Sequence, residues 1–252
     1  MKLSAVIITK NEERNIRRCL ESLQDIADEI VVVDSFSTDA TGQICAEYGV
    51  KFVQKQWAGY SQQKNWANKL AANDWIFSID ADEAISAELK NAVLEIKKQN
   101  ITEDNVFSMN RLTNYCGKWI AHCGWYPDSK IRIWNRHVGE WQGEIHETIS
   151  FSTKTKELHL NGDLLHYSFA SPKDFENQMF KFAEMRGHDY FQKGKKYANF
   201  YIIFSPIFSF IQRYCFQLGF LDGAEGLHIC YIAAKATKLK YKTLKKLQNC
   251  NL

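Results

Sequence analysis

The sequence lacks any pair of cysteines spaced as C-x-x-C, although seven cysteines are scattered along its 252 residues. An odd number at wide spacing argues against a disulfide framework and a zinc ribbon, and it is typical of a reducing compartment. The first residues enter a strand pattern directly, without the apolar region of a signal peptide, so we expect a cytoplasmic chain. Hydrophobic residues make up 45% and charged residues 24% of the sequence, which indicates an ordinary globular protein.

The sequence also lacks an apolar segment long enough to cross a membrane. Residues 197–211 are strongly apolar but number only fifteen, with Pro206 among them, whereas a spanning helix needs about 20 residues. From Lys193 onwards there are ten Lys or Arg and two acids, a balance of +8, which leaves −5 for residues 1–192 because the whole chain carries +3. An apolar stretch flanked by cations favours contact with a membrane surface. A buried helix pair is the alternative, and a nucleic-acid tail is disfavoured because no recognition motif accompanies it. We therefore predict a helical, basic, membrane-surface region over residues 171–252.

Strand and helix signals alternate through the first part of the chain. Apolar runs of strand length, separated by helical patterns, occur at residues 3–9, 29–34, 51–53 and 75–80. This rhythm predicts an α/β fold with a mostly parallel, Rossmann-like central sheet flanked by helices. Residues 105–170 are aromatic-rich with shorter strand-like pieces, and we take them as the second half of one domain, 1–170.

Polar residues stand where the predicted strands end. They are Thr9, Asn11 and Glu12 after the first strand, Asp34 at the end of the second, and Asp80-Ala81-Asp82 at the end of the fourth. Ligands of such sheets bind beyond the carboxyl ends of the strands, so these residues predict a site for a nucleotide donor. The paired aspartates are hard oxygen ligands suited to Mg²⁺ or Mn²⁺, which would bridge the donor phosphates.

The other residues of this edge have less specific roles. Asp34 could accept a hydrogen bond from a nucleobase, and the residues after the first strand could hold base and ribose. Helix capping is the alternative, above all for Asn11. Glu83, next to the paired aspartates, is predicted to be a solvated neighbour rather than a ligand.

Several cations and aromatic residues outside this edge are further candidates. Lys64 is the best candidate for a cation over the diphosphate, although a lone helical lysine is usually solvated. Arg132 and Arg136 could meet an anionic acceptor or the donor phosphate, or be solvated charges. One of three tryptophans is expected to pack against a sugar, although large aromatic residues are more often core: Trp119, Trp125 and Trp141.

Six motifs are more specific than the single residues. They are Ala5-Val6-Ile7-Ile8-Thr9-Lys10-Asn11-Glu12, Ile30-Val31-Val32-Val33-Asp34-Ser35, Gln63-Lys64-Asn65-Trp66-Ala67, Ile79-Asp80-Ala81-Asp82-Glu83, Gly143-Glu144-Ile145-His146-Glu147 and Gly219-Phe220-Leu221-Asp222-Gly223. Together they resemble the family 2 glycosyltransferases of the GT-A fold. The likeness extends over nearly the whole chain, and its branch includes the lipopolysaccharide-core β-glucosyltransferases.

The resemblance implies an inverting transfer of a hexose, glucose in that branch, from a UDP-sugar to a lipopolysaccharide-core or other lipid-linked glycan. It implies that Asp34 meets the base, that Asp82 holds the divalent metal, and that His166 is a second metal ligand; a core histidine is the alternative. The donor half would be about 1–104 and the acceptor half about 105–170. With the basic tail, the enzyme is expected to be peripheral on the cytoplasmic face of the inner membrane.

Inversion needs a general base that takes the proton of the attacking hydroxyl. Related enzymes often carry this carboxylate in an E-D pair, which this chain lacks. Glu147 is our candidate, with Glu144 and Asp128 as alternatives.

Two other functions are compatible with parts of the pattern. A metal-dependent nucleotidyltransferase would be expected to have a glycine-rich basic loop after the first strand, where this chain has Lys10-Asn11-Glu12-Glu13. A non-catalytic, membrane-surface glycan-binding protein is the other alternative, and the intact aspartate pair argues against it.

Overall fold

The computed structural model of the chain describes residues 1–143, 147–196 and 199–250. The chain forms two compact units. The first comprises Met1–Arg111 and Asp128–Tyr167, and the second comprises Leu112–Pro127 and Ser168–Leu252. The functional division at residue 170 stays a prediction.

The secondary structure follows the chain in this order. The strands are β1 (Leu3–Thr9), β2 (Glu29–Asp34), β3 (Lys51–Gln54), β4 (Trp75–Asp80), β5 (Glu83–Ile85), β6 (Asn105–Tyr115), β7 (Lys118–Ile120), β8 (Ser129–Asn135), β9 (Gly139–Gln142), β10 (Thr148–Phe151) and β11 (Lys156–Phe169). The α-helices are α1 (Ile16–Leu23), α2 (Thr41–Glu47), α3 (Tyr60–Leu70), α4 (Ala87–Lys98), α5 (Pro172–Gln192), α6 (Asn199–Ile211) and α7 (Gly223–Cys250). A π-helical turn (Gln212–Phe216) and a 3₁₀ turn (Gly219–Asp222) lie between α6 and α7.

The first unit is built on a mixed sheet with the strand order β3-β2-β1-β4-β8-β6-β11-β5. Strands β3, β2, β1 and β4 are parallel, which confirms the α/β prediction for the strand–helix repeats. From β8 onwards the neighbours are antiparallel. The sheet is therefore less parallel than predicted, since the second half has no crossover helices between its strands.

Burial explains the regular elements of the first unit. The apolar stripe of α1, Ile16, Cys19, Leu20 and Leu23, is fully buried, and β2 is continuously buried over its last four residues. Ser86 caps α4 as its sequence position predicts, because its Oγ accepts a hydrogen bond from Leu89 N at 3.2 Å.

The predicted capping role of Asn11 is wrong. Helix α1 begins only at Ile16, after Asn15, and Asn11 itself adopts a φ of 54°. Its side chain instead accepts a hydrogen bond from Thr38 N at 2.8 Å. Asn11 therefore joins the loops after β1 and β2, on the edge of the sheet where the candidate site lies.

Strand β5 was not predicted from the sequence. It has three residues, and its pairing partner is the distant β11, with Leu164 opposite Ile85. Gly162, on the same long strand, allows close approach to α4, because a Cβ there would lie 2.2 Å from Leu89 N. Strand β11, predicted only as one of the shorter strand-like pieces of residues 105–170, has fourteen residues.

The second unit is mainly helical, as predicted for the C-terminal region. Its core contains Tyr115, Ile120, Phe175, Ile229 and Ile232, and β7 pairs with the end of β6. Among the residues that the structure describes, no helix is both long enough and apolar enough to span a membrane.

Candidate active site

Three parallel strands bring the predicted site residues to one edge of the sheet. Thr9 lies opposite Asp34 in the register of β1 and β2, and Asp80 lies opposite Ile8 in the register of β4 and β1. The carboxyl ends of these strands are therefore neighbours, as the sequence pattern predicts.

Asp80 is held between two cations. Its Oδ1 is 3.1 Å from Lys64 Nζ, and its Oδ2 is 3.0 Å from an amino nitrogen of Arg132. Burial alone would raise the pKa of Asp80, but the charges of Arg132 and Lys64 outweigh it and keep that pKa well below the usual range. Both carboxylate oxygens are thus already engaged by the protein.

Arg132 also pairs with Glu83 beneath the site. The guanidinium is 2.6 Å from Glu83 Oε1, and the two residues are only 4% and 1% exposed. Glu83 Oε2 accepts a hydrogen bond from Asp80 N at 2.9 Å. Burial raises the pKa of Glu83 although Arg132 opposes this effect. The prediction that Glu83 is solvated is wrong, because β5 turns it into the interior, where it holds the backbone of Asp80.

Asp82 and His166 form the next pair. Asp82 Oδ2 is 3.1 Å from His166 Nε2, and both side chains are partly exposed. The backbone supports the pair, since Tyr167 N donates to Asp82 O at 2.9 Å and His166 lies opposite Glu83 in the strand register. Carboxylate oxygens and imidazole nitrogens both bind divalent metal ions in proteins, and these two lie close enough to bind the same ion.

Glu147 lies on the other side of Lys64 from Asp80. Its Oε1 is 3.2 Å from Lys64 Nζ, which also lies 4.5 Å from the centre of the Trp141 ring. Asn65 fixes Trp141 by two hydrogen bonds of 2.8 Å to its backbone. Lys64 is therefore not solvated: it joins the predicted base to the predicted donor-binding aspartate. The alternative base Glu144 lies outside the described residues.

Several of these side chains line one open cavity of about 740 Å³, but Asp82 and His166 are not among its lining residues. Its walls include Lys64, Asp80, Arg132, Trp141 and Glu147. On the side away from β4, Arg111 and Lys130 also line it. The cavity therefore has room for a sugar-sized group between the strand ends and β9–β10.

The polar residues at the ends of β1 and β2 differ from one another in their burial and in their hydrogen bonds. Thr9 Oγ1 is buried and has no hydrogen-bond partner among the described residues. Asp34 is fully buried and accepts from Ser37 N at 2.8 Å and from Gln54 Nε2 at 3.2 Å. Burial raises the pKa of Glu12, and the charge of Asp82 adds to this effect against the hydrogen bond from Asn15.

The family is shown by the sequence itself: the pattern described as "Glycosyl transferase family 2" matches residues 4–137, which carry the strand ends of this site. The chain belongs to glycosyl transferase family 2. It is a glycosyltransferase, and the resemblance drawn from its motifs is confirmed.

Relatives along the full length agree with this assignment. The glycosyltransferase is 31% identical to an uncharacterized glycosyltransferase of Rickettsia typhi, over 98% of this chain and 87% of that one. It is 28% identical to the lipopolysaccharide core biosynthesis glycosyltransferase LpsC of Rhizobium meliloti, over 93% of this chain and 91% of that one. Among solved structures, it is similar to S. aureus TarS 1–349 in complex with UDP, with a TM-score of 0.46 and 18% identity over 99% and 92% of the two chains.

Some predicted residues of the glycosyltransferase are not part of the cluster. Arg136 pairs with Asp74 at 2.8 Å, at the beginning of β4 rather than at its end. Trp125 packs on Tyr115 and Phe175 in the core of the second unit. Of the three candidate tryptophans, Trp141 lines the cavity.

Sequence reasoning missed the buried pair of Arg132 with Glu83 and the cavity residues Arg111 and Lys130. Arg111 is 2.8 Å from Asp128, and Lys130 is also 2.8 Å from it. No local signal marks these residues, since a charge on a strand that faces a cavity has the same spacing as one that faces solvent.

Proposed function

We propose that this glycosyltransferase moves a hexose, glucose by its resemblance, from a UDP-sugar with inversion at the sugar carbon. The observation that carries the proposal is the linked set Asp80, Lys64 and Glu147, which lines one cavity at the end of β4. Asp82, paired with His166, follows Asp80 by two residues. A donor phosphate would thus meet a cation, and an acceptor hydroxyl would meet a carboxylate base, within one site.

On the donor side, Thr9, Asn11, Glu12 and Asp34 would bind the nucleoside. The unpartnered buried Oγ1 of Thr9 supports this role, because a buried hydroxyl without a hydrogen bond is costly and a ligand could supply one. Asp34 would accept from a base N–H in exchange for one of its present hydrogen bonds.

The chemistry of Asp82 and His166 fits a divalent cation such as Mg²⁺ or Mn²⁺. Within residues 1–143, 147–196 and 199–250, no group of three or more His, Cys, Asp or Glu side chains is arranged to hold a metal ion. Two protein ligands and donor oxygens would therefore complete the site. Such an ion would neutralise charge on the leaving diphosphate. Asp80 would support the site through Lys64 and Arg132 rather than as the first ligand.

Glu147 is the proposed base. It would take the proton of the attacking acceptor hydroxyl while Lys64 holds its carboxylate at the cavity wall. Asp128 is weaker in this role, because Arg111 and Lys130 both already pair with it. Lys64 would also place a cation near the diphosphate, as the sequence predicts.

The proposed acceptor is a lipopolysaccharide-core or other lipid-linked glycan. The relative named for lipopolysaccharide core biosynthesis supports this choice. We infer that the enzyme works in the cytoplasm as a peripheral protein of the inner membrane, with residues 171–252 as the membrane-surface region.

The experiment is UDP release from a panel of UDP-sugars, with and without Mg²⁺ or Mn²⁺. Release should need the metal, and Asp82→Asn should lower it by roughly 100-fold, with the fold intact. Asp74→Asn, at the other end of β4, is the matched control and should leave release unchanged. Normal turnover in Asp82→Asn would refute the assignment. Pyrophosphate release from a nucleoside triphosphate would instead identify a nucleotidyltransferase. Release of neither UDP nor pyrophosphate would identify a binding protein.

A further inference from the structure

Helix α6 of the second unit exposes its apolar side. None of its residues is buried. Six large apolar side chains, spaced three and four apart and therefore on one face, are each between 42% and 66% exposed: Phe200, Ile203, Phe204, Ile207, Phe208 and Ile211. A helix on a water-exposed surface normally has polar residues on its outer face, so this distribution is inverted.

The inner face of α6 is less apolar than the outer one. Ser205 and Ser209 are half-buried, and Ser209 Oγ lies 3.5 Å from Thr237 Oγ1 of α7. The sequence of α6 contains no Asp, Glu, Lys or Arg. Phe210 of the inner face packs against the core of the second unit, so the outer stripe is apolar surface in addition to what that core uses.

The exposed surface is large and continues past α6. Its six side chains expose about 650 Å², if each offers roughly 200 Å² when fully accessible. This is slightly above the range of about 300–600 Å² for the largest patch of a monomer. Phe216 and Leu221, in the turns that follow, are also exposed. A patch of this size marks a contact surface.

Positive charge borders the stripe at its beginning. Lys195 and Lys196 precede α6, and Lys245 Nζ of α7 donates to Asn199 Oδ1 at 3.1 Å. The two acids after residue 193 lie elsewhere in the unit: Asp222 is buried and pairs with His122, and Glu225 pairs with Lys118. They therefore do not offset these cations.

We propose that α6 lies flat in the headgroup region of a bilayer with anionic lipids, with its outer stripe, Phe200 to Ile211, turned to the acyl chains. At 1.5 Å per residue its thirteen residues span about 20 Å, and the stripe runs along the whole helix, so the axis is parallel to the surface. Apolar burial supplies the attraction and the bordering lysines select anionic headgroups. A second copy of the chain fits less well, because its basic border would be brought against a like one.

The test is vesicle flotation of the full chain with phosphatidylethanolamine–phosphatidylglycerol vesicles. The double variant Phe204→Ser with Phe208→Ser should bind the vesicles at least about tenfold more weakly than the parent, because two exposed aromatic rings no longer enter the bilayer. Phe36→Ser is the matched control, since Phe36 is 54% exposed in the first unit; it should bind as the parent does. Replacing phosphatidylglycerol with phosphatidylcholine should weaken binding, and Lys196→Glu should weaken it about fivefold or more.

Insertion is measured independently with a reporter on the stripe. Phe208→Trp should gain blue-shifted emission that lipids brominated in their acyl chains quench, whereas Phe36→Trp should not. Unchanged flotation of the double variant, or absence of quenching at position 208, overturns the proposal. A dimer in light scattering that the double variant turns into a monomer, without vesicle binding, would assign the face to a second copy and overturn it as well. These assays contain no donor or acceptor, so their outcome is separate from that of the proposed transferase activity.

Discussion

Replacing Arg132 by methionine tests whether the buried ion pair under the aspartates holds the site together. The guanidinium contacts Glu83 at 2.6 Å and Asp80 at 3.0 Å. The variant roughly keeps the volume of the side chain. It leaves the carboxylate of Glu83, which is 1% exposed, with only the more distant cation of Arg111, 3.9 Å from its Oε1. Asp80 retains Lys64 as a partner, so most of the cost falls on Glu83.

The expected loss in the free energy of unfolding is about 3 kcal/mol, at the lower end of the usual cost of removing one partner of a buried ion pair, because Arg111 still lies near Glu83. Adding Glu83→Gln should recover at least about 2 kcal/mol of it, because contacting residues couple and the charge itself is then gone. The amide oxygen that replaces the carboxylate can still accept the hydrogen bond from Asp80 N, which Glu83 Oε2 accepts at 2.9 Å. The double variant should therefore be more stable than Arg132→Met alone.

The measurement is denaturant unfolding of the parent, both single variants and the double variant. Arg136→Met is the matched control. This arginine pairs with the half-exposed Asp74 at the other end of β4 and donates to Ala71 O at 2.6 Å, so its loss should cost about 2 kcal/mol or less. Equal losses for Arg132→Met and Arg136→Met would refute the reasoning. So would a double variant that is less stable than Arg132→Met.

Three further predictions concern the proposed catalytic base, the packing of Gly162 against α4, and the N-terminal cap of α4. Glu147→Gln should lower transfer by about 100-fold or more while calorimetry shows unchanged UDP-sugar binding; persistent transfer would move the role to Asp128 or Glu144. Gly162→Ala should lower the free energy of unfolding by about 3 kcal/mol or more, since its Cβ would meet α4 backbone at 2.2 Å. Gly49→Ala, with a similar positive φ and open space around it, should cost only about 1 kcal/mol in the same denaturation series; equal losses contradict the packing argument. Ser86→Ala should lower the melting temperature through a loss of about 1 kcal/mol, and an unchanged midpoint would mean that the cap is dispensable.

Parts of the fold and the site were predictable because their signals are local. The parallel strands have nearly continuous apolar runs, and the polar residues that follow them meet because parallel strands end on the same edge. This pattern predicts Asp80 and Asp82 as site residues. Lys64 is predicted only as a cation on a helix, and the structure places it beside Asp80. The helix cap predicted for Asn11 beside its donor-binding role is not formed, because its left-handed backbone and its hydrogen bond from Thr38 N join two loops instead.

By itself, the sequence determined the strand–helix order, the polar strand ends, the family, and the presence of an apolar segment in a basic region. Tertiary structure alone decided that Glu83 is buried, since its cation, Arg132, lies 49 residues further along the chain. It also decided that the apolar stripe of α6 faces outwards. The physical reason is the same in both cases: composition gives a segment's polarity, but which side is covered depends on partners that are distant in sequence.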